Sequence, residues 1–246
     1  MTNKIAISDS SHNTHHDDYP SILCPNSHSG GNESTYLEKI IEVKQTIKKG
    51  EMIFRQGEAF QYIYIILSGT VKTYTISQSG EEQITSFYYP NDLVGLNSID
   101  SDTYPDFAKA LETTSFYKIA FNQLEELDRK TPNLKNNLFK IMSHQIHENQ
   151  HVISQVGKVQ SERRIASFLL NVASRYERQN GIGHPFKMPM SRNEIGNYLG
   201  LTVETVSRAM TKLHKKECIY IEGKHVTILN LNMKEDEKSF LSPCKE

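Results

Sequence analysis

Cysteine is scarce in this chain: there are three in 246 residues, Cys24, Cys218 and Cys244, and none sits in a C-x-x-C pair. So few thiols, so scattered, exclude a disulfide framework and fit a reducing compartment. Excess charge of either sign is also missing, since 28 Lys and Arg face 29 Asp and Glu for a net charge of -1. The whole-molecule field therefore offers a polyanion no attraction, and any nucleic-acid contact has to come from a local basic patch. No apolar run approaches the roughly 20 residues that span a bilayer, and the N-terminus lacks the basic, apolar, small-residue order of a signal peptide. A cytoplasmic protein without membrane contact is expected. No nucleophile beside a base, metal motif or phosphate loop occurs in a suitable context, which argues against an enzyme. What is present, 37% hydrophobic and 23% charged residues, suits one or two globular domains with substantial cores.

Composition divides the chain. Residues 1–35 are rich in Ser, His, Asn and Asp without periodicity and read as a disordered polar tail. The tail's His12, His15, His16 and His28, with Asp17, Asp18 and Cys24, are not fixed by regular structure and are not assigned a metal. In residues 36–130, the runs "EMIF", "YIYIILSGTVKTYTIS", "EQITSFYY" and "SFYKIA" alternate with turn residues, predicting an antiparallel β-roll or sandwich with hairpin corners at Ser68-Gly69 and Ser79-Gly80. Over 131–160 a long helix follows. Phe139, Met142, Ile146, Asn149, Ile153 and Val156 recur at spacings of three and four, the a/d seam along which two copies pair. On its opposite face lie His144, His147 and His151, read as surface rather than as a metal site. The fold class is thus α+β, with the β-roll, a dimerisation helix and a C-terminal domain at 161–232, followed by a tail at 233–246.

The last domain opens with "SERRIASFLLNVASRYERQ", an amphipathic helix whose apolar face is Ile165, Phe168, Leu169 and Val172. After a turn-rich break, "FKMPM" reads as a short strand. "SRNEIGNYLG" then has Ser191 and Glu194 in capping-box spacing, and Gly200 supplies a tight turn. Thr202 caps a second helix running to about Lys215, burying Val206, Met210 and Leu213. Val203, Glu204, Ser207, Arg208 and Thr211 are left outward near its N-terminal half, the part of a recognition helix that reaches base edges. Arg donates two hydrogen bonds to guanine, Glu accepts from cytosine N4, and Ser sits against a thymine methyl. Thr202, Thr205 and Lys212 complete the expected DNA-binding set. Lys187, Arg192, Lys212, Lys215, Lys216 and Lys224 make the surroundings locally basic, fit to hold phosphates. "CIYIEGKHVTIL" reads as a hairpin around Glu222-Gly223-Lys224, the wing of a winged helix-turn-helix DNA-binding domain spanning 161–232, with Cys218 a small core residue.

The motifs "IKKGEMIFRQGE", "LSGTVKTYTIS", "GEEQITSF", "NDLVG", "FAKALETTS" and "IGNYLGLTVETVSR" resemble the Fnr-type branch of the Crp/Fnr superfamily of bacterial transcription regulators, from about Leu37 to Leu229. The resemblance implies a homodimer binding double-stranded DNA, with Glu204, Ser207 and Arg208 reading a palindrome of the TTGAT-N4-ATCAA type. It also implies a contact with RNA polymerase through the loop holding Gly80 and Glu81, and hence an activator. Departures carry equal weight. The oxygen-sensing members bind a [4Fe-4S] cluster through clustered N-terminal cysteines and a fourth on the β-roll, where this chain has only Cys24 and Tyr117. No cluster is expected. Where the cyclic-nucleotide branch holds ribose and phosphate, Gly95-Leu96-Asn97 and Asp106-Phe107 stand, with a carboxylate in place of a cation, so cAMP is not expected either. No cofactor is assigned, and the effector is left open. At the seam, Asn149 takes the place of a charged residue that opposes dimerisation in cluster-bearing relatives. A β-roll module that works without DNA, the alternative, would show an intact phosphate cassette and no recognition helix.

Overall fold

The computed structural model describes residues 44–123, 134–155, 160–180 and 184–229. The polar tails, with their histidines, Cys24 and Cys244, lie outside these, as does Val156.

The N-terminal domain comprises β1 (Gln45–Ile47), β2 (Met52–Phe54), β3 (Tyr62–Ser68), β4 (Val71–Ile76), β5 (Glu82–Tyr88), β6 (Leu93–Val94), β7 (Phe107–Ala110) and β8 (Thr114–Ala120). They form two antiparallel four-stranded sheets, in the orders β1-β8-β3-β6 and β2-β7-β4-β5. The two inner faces bury Phe54, Tyr64, Ile66, Val71, Val94 and Phe116 against each other, the sheet-on-sheet packing expected of alternating β-branched and aromatic runs. Both expected corners are present, with Gly69 at φ 88° and Gly80 at φ 84°. At Gly69 a Cβ would meet the Thr113 carbonyl oxygen at 2.5 Å, so only glycine fits.

Next comes α1 (Leu134–Gln155), a 22-residue helix. Leu138, Ile141 and Met142 pack on the β-roll around Ile63, Ile65, Leu93 and Ile119, and the Gln145 side chain donates to the Leu93 carbonyl at 3.0 Å. Met142 therefore leans toward its own domain rather than standing wholly in an intermolecular seam. The other flank of α1 is open: Phe139 is 56% and Ile146 55% exposed, and Asn149 is exposed beyond them.

The C-terminal domain contains α2 (Ser161–Asn180), β9 (Phe186–Lys187), α3 (Arg192–Leu199), α4 (Val203–Lys215), β10 (Ile219–Glu222) and β11 (His225–Ile228). Ile165, Phe168, Leu169 and Val172 of α2 are buried, as their spacing requires. The sheet β10-β11-β9 closes the domain, and β9 is the strand expected within "FKMPM". The two domains share one core. Tyr74, Ile84, Phe87, Tyr89 and Leu111 of the β-roll belong to the same buried cluster as Phe168, Ile195 and Met210, with the Phe87 ring 5.1 Å from that of Tyr198.

Candidate nucleic-acid interface

The helix pair is built as its sequence dictates. The Ser191 hydroxyl accepts from the Glu194 N–H at 3.2 Å, while the Ser191 N–H donates to Glu194 Oε2 at 2.8 Å. Both bonds of the capping box are present. Gly200 ends α3 at φ 65°, ψ 42°, the left-handed conformation of a helix C-terminus. Four residues earlier, a Cβ on Gly196 would lie 2.6 Å from the Leu201 carbonyl oxygen, so glycine lets the turn fold back this closely. Thr202 caps α4, accepting from the Thr205 N–H at 3.2 Å.

Val206, Ala209, Met210 and Leu213 of α4 are buried. Val203, Glu204, Arg208, Thr211 and Lys212 are exposed, and Thr205 and Ser207 are half-buried between the two faces. The Glu204 carboxyl is held below its ordinary range by its own backbone N–H, with the Thr202 side chain and Arg208 adding to the effect. It is therefore an anion that accepts hydrogen bonds, the form suited to a cytosine amine. Arg208 is exposed and, among the described residues, takes part in no ion pair. The Thr211 hydroxyl donates to the Ser207 carbonyl one turn back at 2.8 Å. Thr202 and Thr205 hydroxyls lie 3.0 Å apart and serve the cap.

The basic surround is more constrained than its sequence implies. Glu162 of α2 forms an ion pair with Lys212 and lies 3.5 Å from Lys216. Lys187 pairs with Glu112 of the β-roll at 2.6 Å, and Arg192 points its Nη1 at the Met210 sulfur, 3.0 Å away. Lys215 and Lys224 remain exposed. These partners come from distant parts of the chain, so no local spacing reveals them. Behind this surface, Cys218 is half-buried against the shared core, and Gly223 turns the wing hairpin at φ 60°.

The remaining sequence-derived positions are dispersed. Gly80 and Glu81 occupy the exposed β4-β5 loop, which is closed by a Ser77 N–H bond to the Glu81 carbonyl at 2.9 Å. His144 and His147 are exposed on α1; His151 and Ile153 lie on the same helix. Among the described residues no group of three His, Cys, Asp or Glu is placed to hold a metal ion, and no helix is long and apolar enough to cross a membrane.

Asp106, where the resemblance locates a phosphate, is 3% exposed. Asn97 Nδ2 donates to its Oδ2 at 3.0 Å, whereas Oδ1 and the nearby Ser98 hydroxyl have no hydrogen-bond partner among the described residues. Burial pushes the carboxyl up to about 6 against the opposing pull of the Asn97 bond. Between its ordinary range near pH 4 and pH 6 the folded protein thus binds more protons than the unfolded chain, and stability falls as pH rises through that window. Asp106→Asn is expected to stabilise the protein at pH 7 by roughly 1–3 kcal/mol and to leave it unaltered below pH 4. Denaturant midpoints of variant and parent across pH 4–8 check this.

Sequence families place these features in context. The family described as the cyclic nucleotide-binding domain matches residues 44–130, and the Crp-like helix-turn-helix domain matches residues 163–233. The transcriptional activator protein Anr of Pseudomonas protegens is 45% identical over 194 residues, covering 79% of this chain and 80% of Anr. The anaerobic regulatory protein of Haemophilus influenzae is 44% identical over 200 residues, covering 81% of this chain and 78% of that protein. Of solved structures, FixK2 from Bradyrhizobium japonicum superimposes with a TM-score of 0.68 at 25% identity, covering 82% of this chain and 98% of FixK2.

Proposed function

The chain belongs to the Crp/Fnr family of transcription regulators, and from that premise we propose that it is an activator that binds a TTGAT-N4-ATCAA-like palindrome as a homodimer. The observation that carries this reading is the exposed face of α4, where an ionised Glu204 and an exposed Arg208 flank Ser207 at the N-terminal half of a capped helix. Such a face offers the donors and acceptors that distinguish G·C from A·T in the major groove. Val203, Thr211 and Lys212 border it. Thr202 and Thr205 support it by fixing the helix start.

The dimer is supported by the open flank of α1, since two large apolar side chains one above the other on a helix that already covers the β-roll need a second partner. Phe139, Ile146 and Asn149 form the described part of this seam, with Met142 at its inner border. The exposed loop at Gly80 and Glu81 is where RNA polymerase would be met. A cytoplasmic location follows from such work.

The cyclic nucleotide for which one matched domain is named does not suit these residues. A phosphate would meet the buried Asp106 carboxylate rather than a cation. A [4Fe-4S] cluster held by four thiolates exceeds the three cysteines of the sequence. The regulator we propose works without a [4Fe-4S] cluster and without cAMP.

Selection of bound duplexes from a random-sequence pool by the purified full chain tests the reading. Enrichment of an inverted repeat containing TTGAT is the expected result; recovery without any sequence preference would refute it.

A further inference from the structure

The edge of the β-roll is closed by a side chain from the DNA-binding domain. β5 is the last strand of its sheet, paired on one side only with β4. On its other side the Ile84 N–H donates to Asn197 Oδ1 at 2.6 Å, and Asn197 Nδ2 donates to the Glu82 carbonyl at 2.6 Å. One amide side chain thus satisfies the free donor and acceptor of the edge as a neighbouring strand would. The Gln83 side chain completes the grip by donating to the Asn197 carbonyl at 3.1 Å. Beside it Lys72, only 6% exposed, bridges Glu82 and Glu194, lying 3.0 Å from Glu194 Oε1. The two oxygens of Glu194 therefore divide their work, Oε2 to the cap of α3 and Oε1 to the β-roll.

We propose that Asn197 is a positioning residue that fixes the recognition helix relative to the dimer axis, and so sets the half-site spacing the protein accepts. The path is short and stiff. Asn197 lies on α3, and α3 is joined to α4 by the turn in which the Leu201 N–H bonds the Gly196 carbonyl at 2.8 Å. On the far side of the β-roll, α1 is seated through Leu138, Ile141 and Gln145. The roll is therefore the common body to which both the dimer seam and the reading head are attached. In a two-fold dimer the separation of two reading heads has to match the separation of two half-sites. Loosening the attachment of α3 to β5 widens the range of separations without altering the base-reading side chains. This inference rests on the palindrome and dimer reading above.

The test compares full-length parent, Asn197→Ala and Asn197→Asp on duplexes whose TTGAT half-sites are separated by four or by six base pairs, and on a single half-site. For the parent we expect a preference of about tenfold or more for the four-base spacer. Asn197→Ala, which removes both bonds to the edge, is expected to reduce that preference to about threefold or less while leaving single-half-site affinity within about twofold. Asn197→Asp keeps an acceptor for the Ile84 N–H but turns a carboxylate oxygen onto the Glu82 carbonyl, acceptor against acceptor, so it should also reduce the preference to about threefold or less; it carries the test if the alanine variant folds poorly. Variants that keep the parent's spacing preference overturn this inference alone. A parent that binds both spacers equally, but more tightly than the single half-site, likewise overturns this inference alone, whereas a parent that binds the palindrome no more tightly than the single half-site overturns the dimer reading and this inference with it.

Discussion

Arg208→Ala is expected to weaken binding to the palindrome by about 1–3 kcal/mol per half-site and to abolish preference at one G·C pair in each half. The guanidinium is the only group on the α4 face with a planar pair of donors, and a guanine edge offers O6 and N7 at matching separation. Alanine at this exposed position removes no core contact, so the fold is retained. Lys212→Ala separates base reading from charge. Its ammonium, shared with Glu162, has no means to distinguish bases at long reach. Its loss should therefore lower affinity for all sequences alike and reduce the salt dependence by up to about one counterion per protomer. Titrations of both variants against palindromes altered at each base pair, at fixed salt, distinguish the two patterns.

The second large effect is on assembly. Ile146→Asp is expected to weaken the dimer on the order of 10- to 100-fold, because each of two copies, already partly covered, loses about half of the 1.5–3 kcal/mol of full apolar burial, roughly 1.5–3 kcal/mol for the pair. The side chain is 55% exposed in the single chain, so the cost falls on association rather than on folding. Asn149→Asp, one turn further along, is a gentler version of the same experiment. A neutral amide hydrogen-bonds its symmetry mate across a two-fold axis, whereas paired carboxylates repel. Protonation removes that repulsion, so the Asn149→Asp dimer should be weaker than the parent at pH 7 and recover as the pH is lowered toward about 4. Sedimentation equilibrium checks both variants, and operator binding should decline in step with the dimer.

Local rules made much of this architecture readable. The period-two runs became β2, β3, β4, β5 and β8, and the Ser191–Glu194 spacing became a capping box with both bonds made. Val206, Met210 and Leu213 point inward because a 3.6-residue period leaves them no alternative. Less regular strands escaped. β7, "FAKA", sits between β2 and β4 in the sheet, yet its alanines and lysine carry little β signal, and its place is decided by neighbours far along the chain. β6 has two residues, too few for any pattern.

Tertiary pairing explains the rest of what was hidden. Met142 fits a heptad seam by spacing, but packing turns it partly toward Ile63 and Leu93. Lys212 reads as a phosphate contact, and only the fold brings Glu162 beside it. The same holds for Asn197, which in sequence is one polar residue in a short helix. Its bonds reach residues 113 and 115 positions away, a distance at which composition and periodicity are silent.

The most direct measurement is an equilibrium titration of the full-length protein, at fixed salt, with a TTGAT-N4-ATCAA duplex and with a scrambled duplex of equal length, combined with the mass of the complex formed. Two protomers on one palindrome, bound about a thousandfold or more tighter than the scrambled sequence, are the expected result. Equal affinity for the two duplexes, or a single protomer on the palindrome, would contradict the assignment of the α4 face as a sequence reader carried by a dimer.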